Sequence, residues 1–168
     1  MNIRLLTEAD AAVYQPVRLR SLHEHPEAFG ASYEEERETT PDKVAALLAS
    51  PDSRFFGAFV DGDLVGIANL WRYPRAKTRH RAMLTAMYVA PEARGQGIGA
   101  ALVKAVLDYA RSVVGLEDVV LAVTVGNESA RGLYIRAGFQ AYSLDPRYIR
   151  VGDDYYDIEW MMLSLDEG

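Results

Sequence analysis

The apolar positions of the chain fall into short blocks, some with the spacing of strands and some with the spacing of helices. Residues 3–6, 54–60 and 64–71 are rich in β-forming side chains, and the last two runs flank Asp61-Gly62. An Asp-Gly dipeptide between two such runs is typical of a β-hairpin turn. The pattern therefore predicts a first short strand and, later in the chain, a hairpin.

Two helices are predicted between the first strand and the hairpin. Thr7 and Asp10 resemble the capping residues of a helix, and Thr40-Pro41 resembles an N-cap followed by proline at the first helical position. Apolar residues then recur at roughly helical spacing in both segments: Val13, Val17 and Leu22 in the first, and Val44, Leu47 and Leu48 in the second.

The second half of the chain alternates strand and helix signals. Residues 83–89 and 119–125 are almost entirely apolar, and the second run is rich in β-branched residues, which indicates a central strand covered on both faces. The helix that follows the glycine-rich stretch is predicted to bury one stripe of side chains and to expose the opposite face to solvent. Asn127 is placed to cap the last helix, and Gly138 to end it in the left-handed conformation. The predicted buried stripe of the helix after the glycine loop is Ile98, Leu102, Ala105 and Tyr109, and its solvent-exposed face is Lys104, Asp108 and Arg111. The closing strands are predicted at residues 139–144 and 155–165. Together these elements predict an α/β fold with a mixed sheet.

Composition narrows the functional classes. The 168 residues, 49% of them hydrophobic and 25% charged, suit one globular domain. There is no cysteine, which excludes disulfides, thiolate ligands and a cysteine nucleophile, and the three histidines lack metal-ligand spacing, so we expect no metal. The net charge of −6 disfavours a nucleic-acid partner. We expect no membrane span and no signal peptide, hence a cytoplasmic protein.

A glycine-rich loop is the strongest chemical signal. Gly95, Gly97 and Gly99 alternate with other residues between a predicted strand and a predicted helix. Bare backbone at a helix N-terminus brings unpaired N–H groups and a positive dipole end up to an anion, so the loop suits a phosphate or pyrophosphate. A plain tight turn is the alternative. The spacing also fits the dinucleotide fingerprint, but residues 90–94 intervene after the strand and too little chain follows.

Two segments carry a family resemblance. MYVAPEARGQGIGAALV resembles the coenzyme A loop of the GNAT superfamily of N-acetyltransferases, and NESARGLYIRAGF resembles the second signature of that superfamily. The resemblance implies the GNAT fold, which has a mixed, mostly antiparallel sheet of about seven strands with about four helices. The sheet is splayed between its fourth and fifth strands. It also implies a single N-acetyltransferase domain spanning residues 1–168.

The resemblance implies acetyl-CoA as cosubstrate and assigns residues to it. The loop residues would hold the pyrophosphate through their backbone amides, the preceding strand would pair with the pantetheine arm, and the start of the last helix would lie beside that arm. The residues concerned are Met87, Tyr88 and Val89 of the strand, Arg94, Gly95, Gln96, Gly97, Ile98, Gly99 and Ala100 of the loop, and Asn127, Ala130 and Tyr134 of the last helix.

Catalysis is only partly assigned by the resemblance. Tyr134 matches the tyrosine that acts in the family as general acid toward the departing thiolate; packing as a core aromatic is the alternative. The carboxylate that many members carry on the strand before the loop is absent here, because that strand is Ala-Met-Leu-Thr-Ala-Met-Tyr. The proton acceptor stays unassigned among five acidic residues: Glu34, Glu35, Glu36, Asp157 and Glu159.

The function implied is transfer of acetyl from acetyl-CoA to a primary amine by direct attack in a ternary complex. The acceptor is a small molecule or a peptide, and we expect it between residues 29–36 and the C-terminal strands, where Phe29, Tyr33, Glu35 and Asp157 offer aromatic and acidic groups. The alternative is a non-catalytic acyl-CoA-binding regulatory module of the same fold. A homodimer is left open, as is the purpose of the basic segment 72–81.

Overall fold

The computed structural model describes residues 1–166, and seven strands in them form one mixed sheet. The strands are β1 (Asn2–Leu5), β2 (Ser53–Val60), β3 (Asp63–Arg72), β4 (Arg81–Val89), β5 (Asp118–Thr124), β6 (Gln140–Val151) and β7 (Asp154–Ser164), in the order β1-β2-β3-β4-β5-β7-β6. The α-helices are α1 (Ala11–Glu24), α2 (Tyr33–Glu36), α3 (Pro41–Leu48), α4 (Ile98–Ser112) and α5 (Glu128–Arg136). The predicted mixed α/β sheet is confirmed; the helix beyond the expected four is the single turn α2.

The sheet opens between β4 and β5. These strands are the parallel pair, and they stay in register only from Arg81–Asp118 to Met83–Val120. Beyond Met83, β4 continues along β3 to Val89, while β5 continues along β7 to Thr124. The predicted splay is therefore present, and the two strand ends form the walls of a gap.

A β-bulge bends β4 at the same place. Ile67 of β3 faces Tyr88 and Asn69 faces Thr85, so Ala68 alone lies opposite Ala86 and Met87. Ala86 adopts a left-handed φ of 55°, which is uncommon for a residue with a Cβ atom. A bulge removes backbone polar groups from the ladder, so β4 has free donors and acceptors where it leaves β5.

Helices cover both faces of the sheet. On one face, α1 and α3 pack through Tyr14, Val44 and Leu48 against Phe55 and Ile67. On the other face, α4 lies over the central strands. Its predicted stripe is incomplete: Ile98 and Leu102 are buried, Ala105 and Tyr109 are half-buried against the core, and the core face is completed by Val103, Val106, Leu107 and Ala110. The helix meets a broad twisted sheet, so more than one row of its side chains is covered.

The C-terminal hairpin is longer than predicted. β6 does not end at residue 144 but continues to Val151, and its register with β7 shifts between Asp145 and Ile149. Arg147 has a φ of 56° in this irregular stretch. Proline usually interrupts a strand because it lacks the backbone N–H. Pro146 is tolerated within β6 because β6 is an edge strand of the sheet.

Candidate active site

The glycine loop is an open cradle before α4. Gly95 and Gly97 have φ values of 75° and 76°, and a Cβ atom added to either would meet no protein atom within 4 Å. Gly97 is the N-cap of α4, so the free N–H groups of the first helical turn lie directly after it. The loop conformation thus needs glycine, and the space that its missing side chains leave is available to an anion.

A cavity of about 750 Å³ connects this cradle with the gap between β4 and β5. It brings together most of the residues predicted for the coenzyme: Met87, Tyr88, Val89, Arg94, Gly95, Gly97, Ile98, Gly99, Ala100, Asn127 and Ala130. Gln96 and Tyr134 are not part of its lining. The walls are completed by residues of the segment between α1 and α2, among them His25, Glu27 and Phe29, and by Tyr156 of β7.

The start of α5 forms one wall of the cavity. The Asn127 side chain accepts a hydrogen bond of 3.2 Å from the backbone N–H of Ala130, so the predicted N-cap is confirmed. Ala130 and Leu133 then expose their side chains to the cavity. The cap thus holds the start of α5 in place, and Ala130 and Leu133 lie beside the gap.

Tyr134 lies on the same helix and is buried. It is 6% exposed and packs edge-on against Phe139, with 6.0 Å between the ring centroids. Burial raises the pKa of the phenol above its ordinary value of 10.0, because the phenolate would be poorly solvated there. Tyr134 therefore keeps its proton at neutral and moderately alkaline pH.

Arg94 crosses from the loop to the end of α1. Its Nε donates to the backbone oxygen of Val89 at 3.0 Å, and an Nη atom lies 3.1 Å from Nε2 of His25. Next to it, the Tyr88 hydroxyl donates to Glu24 at 2.7 Å. Burial and this carboxylate raise the pKa of Tyr88, and the same hydrogen bond lowers the pKa of Glu24.

A second tie joins α1 to the turn before the loop. Arg20 donates two hydrogen bonds to Glu92, of 2.7 and 2.9 Å, and a third of 2.6 Å to Glu24. Arg20 lowers the pKa of the Glu92 carboxyl to about 2. Sequence patterns contain no signal for these contacts, because the Arg20–Glu92 pair is separated by 72 positions and joins two elements that only packing brings together.

A second cavity, of about 690 Å³, lies between the segment after α1 and the end of β6. Phe29 lines both cavities and is therefore a wall that they share. Tyr33 and Glu34 line the second cavity from one side, and residues 148–152 line it from the other. We name this cavity the β6 groove; it occupies the region where the sequence predicts the acceptor.

Two of the predicted acceptor residues are engaged elsewhere. The Glu35 carboxylate accepts a hydrogen bond of 3.1 Å from the Ser32 N–H as part of a helix cap. The Asp157 carboxylate accepts one of 2.8 Å from the Arg147 N–H and thereby holds the irregular stretch of β6. Neither lines either of these two cavities, whereas Phe29 and Tyr33 do. Glu34, one of the acids considered as proton acceptor, takes the place expected for Glu35.

The remaining candidate proton acceptors are held by arginines. Glu36 lies 2.9 Å from Arg18, and Glu159 lies 2.8 Å from Arg131. In the cavities themselves, the groups that could take a proton are His25 and Glu27 at the first and His23 and Glu34 at the second. Within residues 1–166, no three His, Asp or Glu side chains come together as a metal site would require.

Residues 19–139 match the model of the Acetyltransferase (GNAT) family, which is more than half of the chain. The chain belongs to the GNAT family. Its bulged, splayed β4 and the glycine cradle before α4 are thus features of a family member, and the family assignment made from the two sequence motifs is confirmed.

Individual GNAT proteins are similar over part or all of the chain. N-alpha-acetyltransferase RimI of Mycobacterium tuberculosis is 40% identical over 110 residues, which are 65% of this chain and 66% of that protein. An L-methionine sulfoximine/L-methionine sulfone acetyltransferase of Pseudomonas aeruginosa is 29% identical over 62% of this chain and 60% of its own length. The matches therefore span just under two thirds of these relatives.

Among solved structures, that of yncA from Salmonella typhimurium with its cofactor acetyl-CoA superimposes with a TM-score of 0.87. The superposition covers 100% of this chain and 95% of that one, at 22% identity, and shows the same fold. None of the helices in residues 1–166 has the length and hydropathy needed to cross a bilayer.

Proposed function

We propose that the protein transfers the acetyl group of acetyl-CoA to a primary amine by direct attack, with both substrates bound at once. The observation that carries this proposal is that two cavities share Phe29 as a wall. One cavity begins at a glycine cradle suited to a pyrophosphate, and the other lies between the segment after α1 and the end of β6. A thioester placed beside Phe29 would be close to an amine in the β6 groove.

The residues around the first cavity suit an acyl-CoA. Gly95 and Gly97 leave room for phosphate oxygens, and the first turn of α4 supplies N–H donors and a positive dipole end. Met87 and Val89 offer strand backbone to an extended pantetheine arm. Acetyl-CoA supplies an activated acyl group, and donors released by the bulge at Ala86 would stabilise negative charge on its oxygen.

Tyr134 is proposed as the general acid for the departing thiolate. Its raised pKa keeps the phenol protonated, which a proton donor requires. Tyr134 lies on the same helix as Ala130 and Leu133, which line the cavity, and its buried hydroxyl would have to become accessible from the cavity in order to act. A thiol is a good leaving group, so the contribution of this acid is expected at the lower end of the usual 10²–10⁴-fold range.

The acceptor is proposed to be a small molecule or a peptide amine. The two relatives described above carry different acceptors in their names, so similarity alone does not choose between them. The alternative function, a regulatory module that binds acyl-CoA without catalysis, is favoured only by the absence of a carboxylate on β4.

The experiment is to measure thiol release from acetyl-CoA with a panel of amines, alongside calorimetry of coenzyme binding. Amine-dependent thiol release with stoichiometric N-acetyl product is expected. Tight coenzyme binding with no transfer to any amine would favour the regulatory module, and absence of coenzyme binding would refute both.

A further inference from the structure

We propose that His25 is the proton acceptor of the transfer reaction, and that Arg94 occupies its Nε2 atom until the coenzyme binds. This inference rests on the proposed function and assigns the base that the function needs. Three observations carry it: the position of His25 at the gap between β4 and β5, the charges around its ring, and its contact with the glycine loop.

The segment that carries His25 crosses the gap. On the β4 side, the His25 ring packs beside Tyr88, with 6.3 Å between the ring centroids. On the β5 side, the buried Thr124 hydroxyl donates a hydrogen bond of 2.7 Å to the backbone oxygen of Glu27. His25 and Met87 line the same cavity. A base at residue 25 therefore lies beside the space in which β4 would hold the thioester.

The cavity offers few groups that can accept a proton. β4 carries no carboxylate, and among the side chains that line the cavity, His25 and Glu27 are the ones that can take a proton near neutral pH. The two act together, because Oε1 of Glu27 lies 3.7 Å from Nδ1 of His25. A carboxylate beside one ring nitrogen orients the imidazole and leaves the other nitrogen to act as the base.

The surroundings of the ring stabilise an imidazolium. His25 is the C-cap of α1 and lies at the negative end of the helix dipole. Besides Glu27, the carboxylate of Glu24 lies 4.0 Å from Nε2. Tyr88 of β4 and Arg20 of α1 direct their polar groups at Glu24 and not at the ring. The group that opposes a proton on the ring is Arg94, on the glycine loop.

Arg94 sets the state of the ring in the free protein. A guanidinium can only donate, so Nη2 of Arg94 donates to Nε2 of His25 at 3.1 Å, and the ring proton is on Nδ1. Nε of Arg94 donates to the backbone oxygen of Val89, which lines the cavity. Because Arg94 directly precedes Gly95 of the cradle, a bound pyrophosphate competes for its side chain. Charge-assisted bonds from a guanidinium to a phosphate are stronger than a bond to a neutral imidazole.

Coenzyme binding thus frees the base for the reaction. The amine nitrogen attacks the thioester carbonyl carbon, the N–C bond forms, and the carbonyl π electrons move to oxygen. Nε2 of His25 accepts the N–H proton of the amine, directly or through one water. The carbonyl then re-forms, the C–S bond breaks, and the sulfur leaves with the electron pair and takes the proton that Tyr134 is proposed to donate. His25 is partly exposed and gives its proton up to water, from which Tyr134 regains one.

The first test compares His25→Gln with His80→Gln. Glutamine keeps an oxygen that can accept the hydrogen bond from Arg94 but has no nitrogen that binds a proton. His80 is the matched control, because it lies between β3 and β4 and lines neither cavity. With the amine of the panel that reacts fastest, His25→Gln should lower kcat at least about 100-fold and keep the dissociation constant of acetyl-CoA within about twofold. His80→Gln should change neither quantity.

The pH dependence separates a base from a structural histidine. Imidazole changes its charge between about pH 5 and 8, so the rate should fall by one proton as the pH decreases through that range. The rate is expressed per concentration of neutral amine, so that ionisation of the substrate does not contribute. His25→Gln should have lost this dependence. An unchanged kcat, or a dependence that persists in His25→Gln, would overturn the assignment, and its loss in His23→Gln instead would move the base to the β6 groove.

Nitrogen NMR of the histidine side chains tests the role of Arg94 without turnover. His25→Gln identifies the His25 signals. At about pH 8.5, above the range in which imidazole titrates, the free protein should carry the ring proton on Nδ1. Saturation with coenzyme A should shift the Nε2 signal of His25 and leave that of His80 unchanged. A proton on Nε2 in the free protein, or a His25 signal that coenzyme A does not move, would overturn the inference.

Failure of the inference can be told apart from failure of the proposed function. Amine transfer that His25→Gln leaves unchanged would refute the assignment of His25 alone. No transfer to any amine by the unmodified protein would refute the proposed function.

Discussion

Replacement of Gly97 by alanine separates the anion cradle from a plain turn. Gly97 has φ 76° and ψ 10°, the left-handed conformation, and a Cβ atom there would touch no protein atom within 4 Å. An alanine in this conformation costs about 1–2 kcal/mol in folding free energy. In a chain of this length, that cost lowers the melting temperature by roughly 2–8 °C.

The effect on coenzyme affinity is a separate quantity. Because the new methyl group points into open space, it leaves the protein packing as it is but stands where an anion would approach the backbone. Loss of close contact with a pyrophosphate should raise the dissociation constant of acetyl-CoA at least tenfold, which is about 1.4 kcal/mol. Isothermal titration calorimetry at a temperature where the variant is fully folded measures this directly.

Gly62 provides the matched control. It lies in the turn between β2 and β3, has a φ of 93°, and a Cβ atom there also meets nothing within 4 Å. Gly62→Ala should lose comparable stability and keep the affinity for acetyl-CoA. If both variants melt earlier and Gly97→Ala still binds the coenzyme as the unmodified protein does, the loop is a turn and the cradle assignment is wrong.

Three further predictions concern catalysis, pH and packing. Tyr134→Phe should lower kcat by about 10- to 100-fold with coenzyme affinity retained. Because burial raises the pKa of Tyr134, the unmodified protein should also lose stability above about pH 10, and thermal unfolding from pH 8 to 11 should show a smaller loss for the variant. Arg4 lowers the pKa of Asp10 to about 2, so this carboxylate stabilises the fold above about pH 4 and ceases to do so as the pH falls toward 2; Asp10→Asn should flatten the melting temperature across that window. Leu102 is fully buried on the core face of α4, and Leu102→Ala should cost about 2–5 kcal/mol in urea unfolding.

Several features of the fold followed from neighbouring residues alone. The hairpin turn at Asp61-Gly62, the start of α3 at Pro41 and the cap of α5 at Asn127 each depend on a conformational preference or a hydrogen bond within a few positions. The glycine loop belongs to this class, since φ values near 75° at Gly95 and Gly97 are local requirements. Two motifs in the right order then sufficed to recognise the family.

What the local pattern could not determine lies where distant segments meet. The left-handed Ala86 is imposed by the register between β3 and β4, because alanine itself has no preference for that conformation. The continuation of β6 past Pro146 depends on β7 as a partner, and it creates the groove.

Side-chain partners were likewise decided by the tertiary structure. The sequence contains acids at Glu35 and Asp157, but only packing shows that one caps a helix and the other holds a strand. Similarly, nothing near Arg94 in the chain indicates that it would reach His25, 69 positions away. Local preferences act between neighbours and can be inferred from order alone, whereas strand register and ion pairing depend on which surfaces the folded core brings into contact.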